Sequence, residues 1–207
     1  KFLNPSADTR FLRLSTLSTI SRHRVNRTFF LTIITILCTV SQLPQYQAVM
    51  LWNIRLIEQG EWWRILSGNF THTNNIHLVM NMTALWVIAF LFRPTSKSLF
   101  LILLSSALFV GSSLLYSNLG IYAGLSGVLH GLFAFYALSE VFEGRKSSWL
   151  LVIGVIGKVA YEQFFGAPES TAELINAKVA IEAHLAGVIF GVMAAVMTRV
   201  SKRQQSD

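Results

Sequence analysis

The sequence predicts an all-α membrane protein built as a bundle of six transmembrane helices. Hydrophobic residues make up 53% of the 207-residue chain and charged residues only 13%, proportions that a soluble globular domain rarely shows. Several apolar windows also approach the roughly 20 residues that a helix needs to cross a bilayer. These observations indicate that lipid surrounds most of the chain.

Six apolar windows define the predicted helices in chain order. They lie near residues 29–47, 76–92, 99–117, 121–139, 149–165 and 180–198. The first window begins nearly thirty residues into the chain and has no clear small-residue cleavage site after it, so we interpret it as a retained helix. It contains the single Cys38, which excludes an intramolecular disulfide. The fifth contains Lys158 and Glu162, which either pair at i, i+4 or mark the point where the helix leaves the hydrocarbon.

The distribution of basic residues predicts the orientation of these helices. The formal net charge is +7, which could indicate a nucleic-acid partner, but most of the basic residues fall in the termini and the second and fourth loops. The residues assigned in this way to one side of the membrane are Lys1, Arg10, Arg13, Arg22, Arg24, Arg27, Arg93, Lys97, Arg145, Lys146, Arg199, Lys202 and Arg203. The positive-inside rule then places both termini in the cytoplasm, and we expect a lipid bilayer and no nucleic acid as the partner.

The domain organisation is predicted to be simple. The sequence shows no internal repeat and no linker long enough to separate two domains. We expect a basic cytoplasmic segment over residues 1–28, one membrane domain over residues 29–200 and a cytoplasmic tail over residues 201–207. The longest loop precedes the second helix and contains Trp62 and Trp63, which we interpret as anchors at the membrane interface rather than as substrate contacts.

Four histidines lie at the predicted membrane depth: His72, His77, His130 and His184. Polar groups are costly in hydrocarbon, so each is a candidate functional residue, with hydrogen bonding between helices as the alternative. The predicted topology places all four near the outward ends of the second, fourth and sixth helices. The outward half of the bundle is therefore the candidate site.

The strongest local motif is Gly124-Leu125-Ser126-Gly127, at the outward start of the fourth predicted helix. A serine there lies near free backbone N–H groups and the positive end of the helix dipole, where an oxyanion would be stabilised. A serine nucleophile also needs a base, and His184 on the sixth helix can supply it. Stripes of small residues on these two helices would allow the close approach that brings Ser126 and His184 together. The alternative is that the stripes serve helix packing alone and have no part in catalysis. The stripes are Gly120, Gly124, Gly127 and Gly131 on one helix and Gly187 and Gly191 on the other.

Two further residues on the second helix suit acyl transfer. His77 and Asn81 lie at i and i+4 and point the same way. Both can donate hydrogen bonds to the oxygen of a tetrahedral intermediate. A structural asparagine bonded to a neighbouring helix is the alternative.

Taken together, these motifs resemble the rhomboid family of intramembrane serine proteases. The matching residues span 61–191 and are Trp63-Arg64, His72, His77 to Asn81, Gly124 to Gly127, and Ala183 to Gly187 with Gly191. The resemblance implies a rhomboid-like six-helix bundle with a catalytic dyad of Ser126 and His184 and no acidic third member. It also implies that His77 and Asn81, with the serine backbone N–H, line the oxyanion hole, while Gly124, Gly127, His130 and Gly187 support the site.

One position departs from the typical family pattern. Typical rhomboids carry a tyrosine four residues after the serine, whereas this chain has His130, in Ser126-Gly127-Val128-Leu129-His130-Gly131. This string resembles the bacterial rhombosortase branch, which implies membrane-anchored substrates: exported proteins that end in a Gly-Gly motif, a hydrophobic helix and a basic tail. The resemblance places the protein in the bacterial inner membrane with its active site open to the periplasmic side.

Three alternatives are also compatible with the sequence. The histidines could bind haem or a metal, but H-E-x-x-H and paired Cys/His spacings are missing from the sequence, and we expect no cofactor. The chain could be a catalytically silent rhomboid-like protein that binds membrane clients, although such proteins usually lack the serine or the histidine. Finally, His130 lies at i+4 from Ser126 and could be the base. We expect it to lie beneath the serine and to support the ring of His184 instead.

Overall fold

A computed structural model describes residues 24–205, and it is mostly helical. Most of the predicted basic segment 1–28, and the last two residues of the predicted tail, lie outside the described residues. The helices are α1 (Arg24–Val40), α2 (Pro44–Met50), α3 (Ile54–Glu58), α4 (Arg64–Ser67), α5 (Asn75–Phe92), α6 (Ser96–Ser113), α7 (Ser126–Phe142), α8 (Trp149–Phe165), α9 (Glu169–Ile175) and α10 (Ile181–Gln204). Two short strands are β1 (Trp52–Asn53) and β2 (Ile121–Tyr122), and single 3-10 turns occupy Gly68–Phe70, Leu114–Tyr116 and Lys146–Ser148.

The apolar helices confirm a multi-pass membrane protein. Within residues 24–205, four segments are long and apolar enough to cross a bilayer, and they contain α5, α6, α8 and α10. A fifth crossing results if α1 and α2 form one broken span. Helix α7 is apolar but has 17 residues, or a length of about 26 Å at 1.5 Å per residue. The structure thus supports four or five spans by length and composition.

The prediction of one continuous first helix over residues 29–47 is wrong. Helix α1 ends at Val40, and α2 follows after a short break at an angle of 98°. Pro44 occupies the start of α2, where its missing N–H is tolerated, whereas in a helix interior it would remove a hydrogen bond and clash with the preceding turn. At the break, the Ser41 hydroxyl bonds the Phe70 carbonyl at 2.7 Å, so the first helix is joined to the long loop.

The predicted boundaries of the fourth helix, 121–139, are also wrong. Residues Ile121 and Tyr122 form β2, which pairs antiparallel with β1, and the helix begins only at Ser126. Gly124 lies between them with φ +133°, a conformation that residues with a Cβ rarely adopt. Ser126 is consequently the first residue of α7, and it follows directly from a strand and a glycine turn.

Helix α7 is the central element of the bundle, and it lies against α10 at unusually short range. A Cβ added to Gly187 would overlap the carbonyl oxygen of Gly127, and one added to Gly191 would overlap the carbonyl oxygen of Gly131. These four glycines therefore form the close contact between the two helices. The prediction that Gly120 belongs to the same stripe is wrong, because it precedes α7 and has no described atom within 4 Å of its added Cβ.

The long loop between α2 and α5 is organised around a buried arginine. Arg64 forms an ion pair with Glu61 at 2.6 Å, and its Nη1 donates to the carbonyl oxygens of Ala48 and Leu51 at 3.0 and 2.7 Å. Burying an arginine in this way satisfies its donors where water is excluded. The arginine thereby holds the chain just before β1, the strand that positions β2 and the turn before Ser126.

Candidate active site

Ser126 and His184 are in direct contact. The Ser126 Oγ lies 2.9 Å from Nε2 of His184, although the two residues are 58 positions apart in the sequence. Ser126 is the first residue of α7, and His184 lies in the first turn of α10. The contact depends on the short distance between the two helices, since a Cβ at Gly127 would lie 2.7 Å from the carbonyl oxygen of Ala183.

A cavity of about 740 Å³ opens above this pair. This volume is within the range typical of ligand sites, roughly 300 to 1,000 Å³. Ser126, His184, His77, Asn81 and His130 all line it. The structure therefore brings the predicted nucleophile, the predicted base and both predicted oxyanion donors to one space.

Asn81 carries a donor with no partner in the described part of the chain. Its Nδ2 is buried and makes no hydrogen bond. An unpaired buried amide costs on the order of 1–3 kcal/mol, so it usually has a function or an unseen partner. Asn81 lines the cavity, where an oxygen atom of a bound peptide could accept this hydrogen bond.

His77 is oriented by Thr73 and Gly124. The backbone N–H of Thr73 donates to Nδ1 of His77 at 3.5 Å. The Thr73 hydroxyl lies 3.0 Å from the same nitrogen, but it donates its proton to the carbonyl oxygen of Ile175 at 2.6 Å. When the Thr73 backbone N–H donates to Nδ1, the ring proton is on Nε2, which is the form that can donate into the cavity. A Cβ on Gly124 would lie 2.8 Å from that Nε2 and 3.7 Å from Nδ2 of Asn81. A glycine is therefore needed at Gly124 both for its backbone angle and to leave room for these two donors.

His72 lies behind His77 and does not reach Ser126. Its ring contacts the ring of His77 edge to face, with centroids 5.1 Å apart. Burial, and then repulsion from the neighbouring His77 when both rings are protonated, lower the pKa of His72 to about 3, so its ring is neutral at neutral pH. Neither of its ring nitrogens has a hydrogen-bond partner within residues 24–205. The side chain therefore packs against His77, which makes its role indirect.

A carboxylate contacts the far side of His184. Oε2 of Glu162, on α8, lies 2.8 Å from Nδ1 of His184, and both residues are buried, with 4% of each exposed. A carboxylate oxygen only accepts, so the proton of the neutral imidazole is on Nδ1 and the lone pair of Nε2 faces Ser126. The resemblance implied a dyad without an acidic group, and Glu162 was not among the site residues predicted from the sequence. The sequence signal for this contact was the ionisable pair Lys158 and Glu162 inside the fifth apolar window.

Lys158 connects Glu162 to the remaining histidine. Its Nζ lies 2.8 Å from Oε1 of Glu162, which is the ion pair that the i, i+4 spacing suggested, and 2.8 Å from Nε2 of His130. Nδ1 of His130 lies 2.7 Å from the carbonyl oxygen of Ser126. Since that oxygen accepts, Nδ1 carries the proton and Nε2 accepts from Lys158. Both nitrogens of His130 are thus engaged, and neither faces the serine hydroxyl.

The His130 ring is stacked on the ring of His184. The centroids are 4.1 Å apart and the planes differ by 24°. One face of the His184 imidazole is therefore covered, while its two nitrogens are held by Ser126 and Glu162. This arrangement restricts rotation of the ring away from Ser126.

The same cluster has the donor types of a metal site. His130, Glu162 and His184 each offer one ligand atom, and these atoms lie within 4.8 Å of one another, a set that zinc accepts. However, Nζ of Lys158 already lies within hydrogen-bonding distance of His130 and Glu162. A metal ion would have to displace this ammonium group, so the lysine is the cation that these side chains surround.

Comparison with known proteins agrees with the motifs. A family model described as the Rhomboid domain matches residues 59–201, which include Ser126 and His184. A protein of Bacillus subtilis (strain 168), YdcA, provisionally named a rhomboid protease, is 25% identical over 201 residues, and the alignment covers 87% of this chain and 92% of that protein. Because the family model matches well over half of the chain, the protein belongs to the rhomboid family of intramembrane proteases.

Proposed function

We propose that the protein is an intramembrane serine protease in which Ser126 is the nucleophile and His184 the general base. The single observation that carries this proposal is the 2.9 Å contact between Ser126 Oγ and His184 Nε2 at the wall of the cavity. A serine hydroxyl is a weak nucleophile by itself, and a histidine nitrogen at hydrogen-bonding distance is the usual means of activating it.

The reaction would proceed by acyl transfer. Ser126 Oγ attacks the carbonyl carbon of the peptide bond, its proton passes to Nε2 of His184, and the carbonyl π electrons move to the oxygen. That oxyanion accepts hydrogen bonds from Asn81 Nδ2, from His77 Nε2 and from the backbone N–H of Ser126. His184 then protonates the amine nitrogen as the C–N bond breaks. A water molecule attacks the acyl-enzyme, gives one proton to His184, and the proton returns to Ser126 Oγ as the acid is released.

The topology proposed with this function has six crossings. The bent pair α1 and α2 would form the first crossing. Helix α7 would form the fourth, because other helices surround it and it does not need to match the full lipid thickness itself. Both termini, including the predicted segments 1–28 and 201–207, would then lie in the cytoplasm of a bacterial cell and the cavity would open to the periplasm, as the basic residues indicate. The membrane domain would occupy residues 29–200.

We also propose a substrate class. His130 and its neighbours resemble the rhombosortase branch, which implies exported proteins whose C-terminal anchor begins with a Gly-Gly motif. A peptide bond must leave its helix before it can reach Ser126, and each glycine destabilises a helix by about 1 kcal/mol relative to alanine. Replacing both client glycines with leucine should stop processing, measured by mass spectrometry of the new C-terminus. Undiminished cleavage would refute this substrate class but leave the serine mechanism intact.

The mechanism is tested with Ser126→Ala. We expect loss of both proteolysis and labelling by a fluorophosphonate probe, with folding and membrane insertion unchanged. Ser147→Ala is the matched control, because Ser147 is exposed in the turn before α8, and it should label and cleave normally. If Ser126→Ala cleaves at the wild-type rate, the proposal is wrong. A wild-type protein that binds clients but neither labels nor cleaves would indicate a catalytically silent client-binding protein instead.

A further inference from the structure

We propose that Glu162 is a positioning residue that completes a Ser126, His184 and Glu162 triad, and that Lys158 holds its carboxylate in place. This inference rests on the proposed serine mechanism. It departs from the two-residue dyad that the family resemblance implies, and it assigns a role to the ion pair between the half-exposed Lys158 and the buried Glu162.

The two oxygens of the Glu162 carboxylate have different partners. Oε2 accepts from Nδ1 of His184 at 2.8 Å, and Oε1 accepts from Nζ of Lys158 at 2.8 Å. With both oxygens engaged, the plane of the carboxylate is defined, and so is the direction of its bond to the imidazole. Glu162 thereby selects the tautomer of His184 whose Nε2 can take the proton of Ser126.

The carboxylate also suits the charge that develops during the reaction. When His184 takes the serine proton, it becomes an imidazolium while its side chain is buried, and a fixed neighbouring carboxylate stabilises that charge. The proton remains on His184, since the carboxylate accepts a hydrogen bond without becoming protonated. A carboxylate at this depth would be costly alone, and the Lys158 ammonium offsets that cost.

Lys158 is directed toward the carboxylate by His130. Nε2 of His130 accepts one Nζ hydrogen at 2.8 Å, while Glu162 accepts another. Nζ also lies 3.5 Å from Nδ1 of His184, but both atoms are donors in this tautomer, so that contact is not a hydrogen bond. The ammonium group therefore interacts with the ring of His184 mainly through Glu162.

Glu162→Gln tests this role, because glutamine keeps the shape and removes the charge. Its amide can donate to Nδ1 of His184 and favour the tautomer that cannot accept the serine proton. We expect kcat to fall about 10²- to 10⁴-fold, where the upper value is the loss seen when the aspartate of a soluble serine protease triad is replaced by asparagine. KM should change little, and fluorophosphonate labelling should slow in parallel. Glu58→Gln makes the same chemical change at an exposed position on α3 and should have no effect.

Further variants separate this role from a purely structural one. Glu162→Asp retains the charge and should recover part of the activity lost in Glu162→Gln. The double variant Lys158→Met/Glu162→Gln removes both charges, so it tests the reaction without an unpaired lysine if the single variant folds poorly. We expect the double variant to remain slow. Nitrogen NMR of labelled histidine should show the His184 proton on Nδ1 in the wild type.

The outcomes distinguish this inference from the proposed function. If Ser126→Ala is inactive while folded Glu162→Gln, or the folded double variant, cleaves at the wild-type rate, the serine mechanism stands and the triad is refuted. The triad is also refuted if the His184 proton in the wild type is on Nε2. If Ser126→Ala remains active, the serine mechanism itself is refuted, and the triad with it.

Discussion

The contact between α7 and α10 can be perturbed by one methyl group, with Gly187→Ala. The new Cβ would overlap the carbonyl oxygen of Gly127 and would lie 2.9 Å from its carbonyl carbon and 3.1 Å from the backbone nitrogen of Gly131. All three of these atoms belong to the backbone. Since no side chain can rotate away, α10 must move relative to α7.

The size of that movement determines the expected effect. Carbon atoms in ordinary contact are about 3.5–4.0 Å apart, so relief of the overlap requires a shift on the order of 1 Å. Such a shift would lengthen the 2.9 Å contact between Ser126 and His184 beyond hydrogen-bonding distance. A misplacement of about 1 Å can reduce a rate about 10²-fold, and overpacking a core costs about 1–3 kcal/mol.

The assay is the rate of fluorophosphonate labelling together with the thermal midpoint in detergent. We expect Gly187→Ala to label about 10²-fold more slowly and to unfold at a lower temperature. Gly154→Ala on α8 is the matched control, because its added Cβ meets no described atom within 4 Å, and it should be neutral or slightly stabilising. Wild-type labelling and an unchanged midpoint for Gly187→Ala would refute the argument that the glycine contact places His184.

Three further predictions concern the chemistry of the site. His184→Ala should eliminate cleavage and probe labelling. His130→Tyr, which restores the residue typical of other rhomboids, should retain measurable activity. An active His184→Ala variant beside an inactive His130→Tyr variant would instead identify His130 as the base. Asn81→Ala and His77→Ala should each lower kcat about 10²- to 10³-fold with little change in KM. Unchanged rates in both variants and in the double variant would show that these residues have only a structural role. Chelation by EDTA should leave the cleavage rate unchanged, because Lys158 is the cation among the candidate ligands; a loss that zinc restores would contradict that interpretation.

Local sequence patterns predicted much of the site. Ser126 follows a glycine at the start of an apolar segment, and His77 and Asn81 share one helix face because of their i, i+4 spacing. The glycine stripes paired Ser126 with His184, the family resemblance implied the same pair, and the two side chains are in contact in the structure. Such features could be predicted because each depends on composition, on helical periodicity or on a short motif.

Helix boundaries were predicted less well, for physical reasons that are visible in the structure. The strand residues Ile121 and Tyr122 are as apolar as a membrane helix, and a two-residue strand has no periodicity of its own. The break after Val40 lies inside a window that is apolar only on average, and Ser41, Gln42 and Pro44 were its local signals. The number of membrane crossings depends on how these short and bent pieces are placed.

The sequence by itself determined that the protein is a helical membrane protein and that its motifs are those of the rhomboid family. It also determined that only a few ionisable residues lie inside the apolar windows. Only the tertiary structure decided that Glu162 and Lys158 face His184 and His130. The spacing of Lys158 and Glu162 places them on one face of α8, but it contains no information on which way that face turns. That rotation is set by packing of α8 against α7 and α10, which involves residues far apart in the chain.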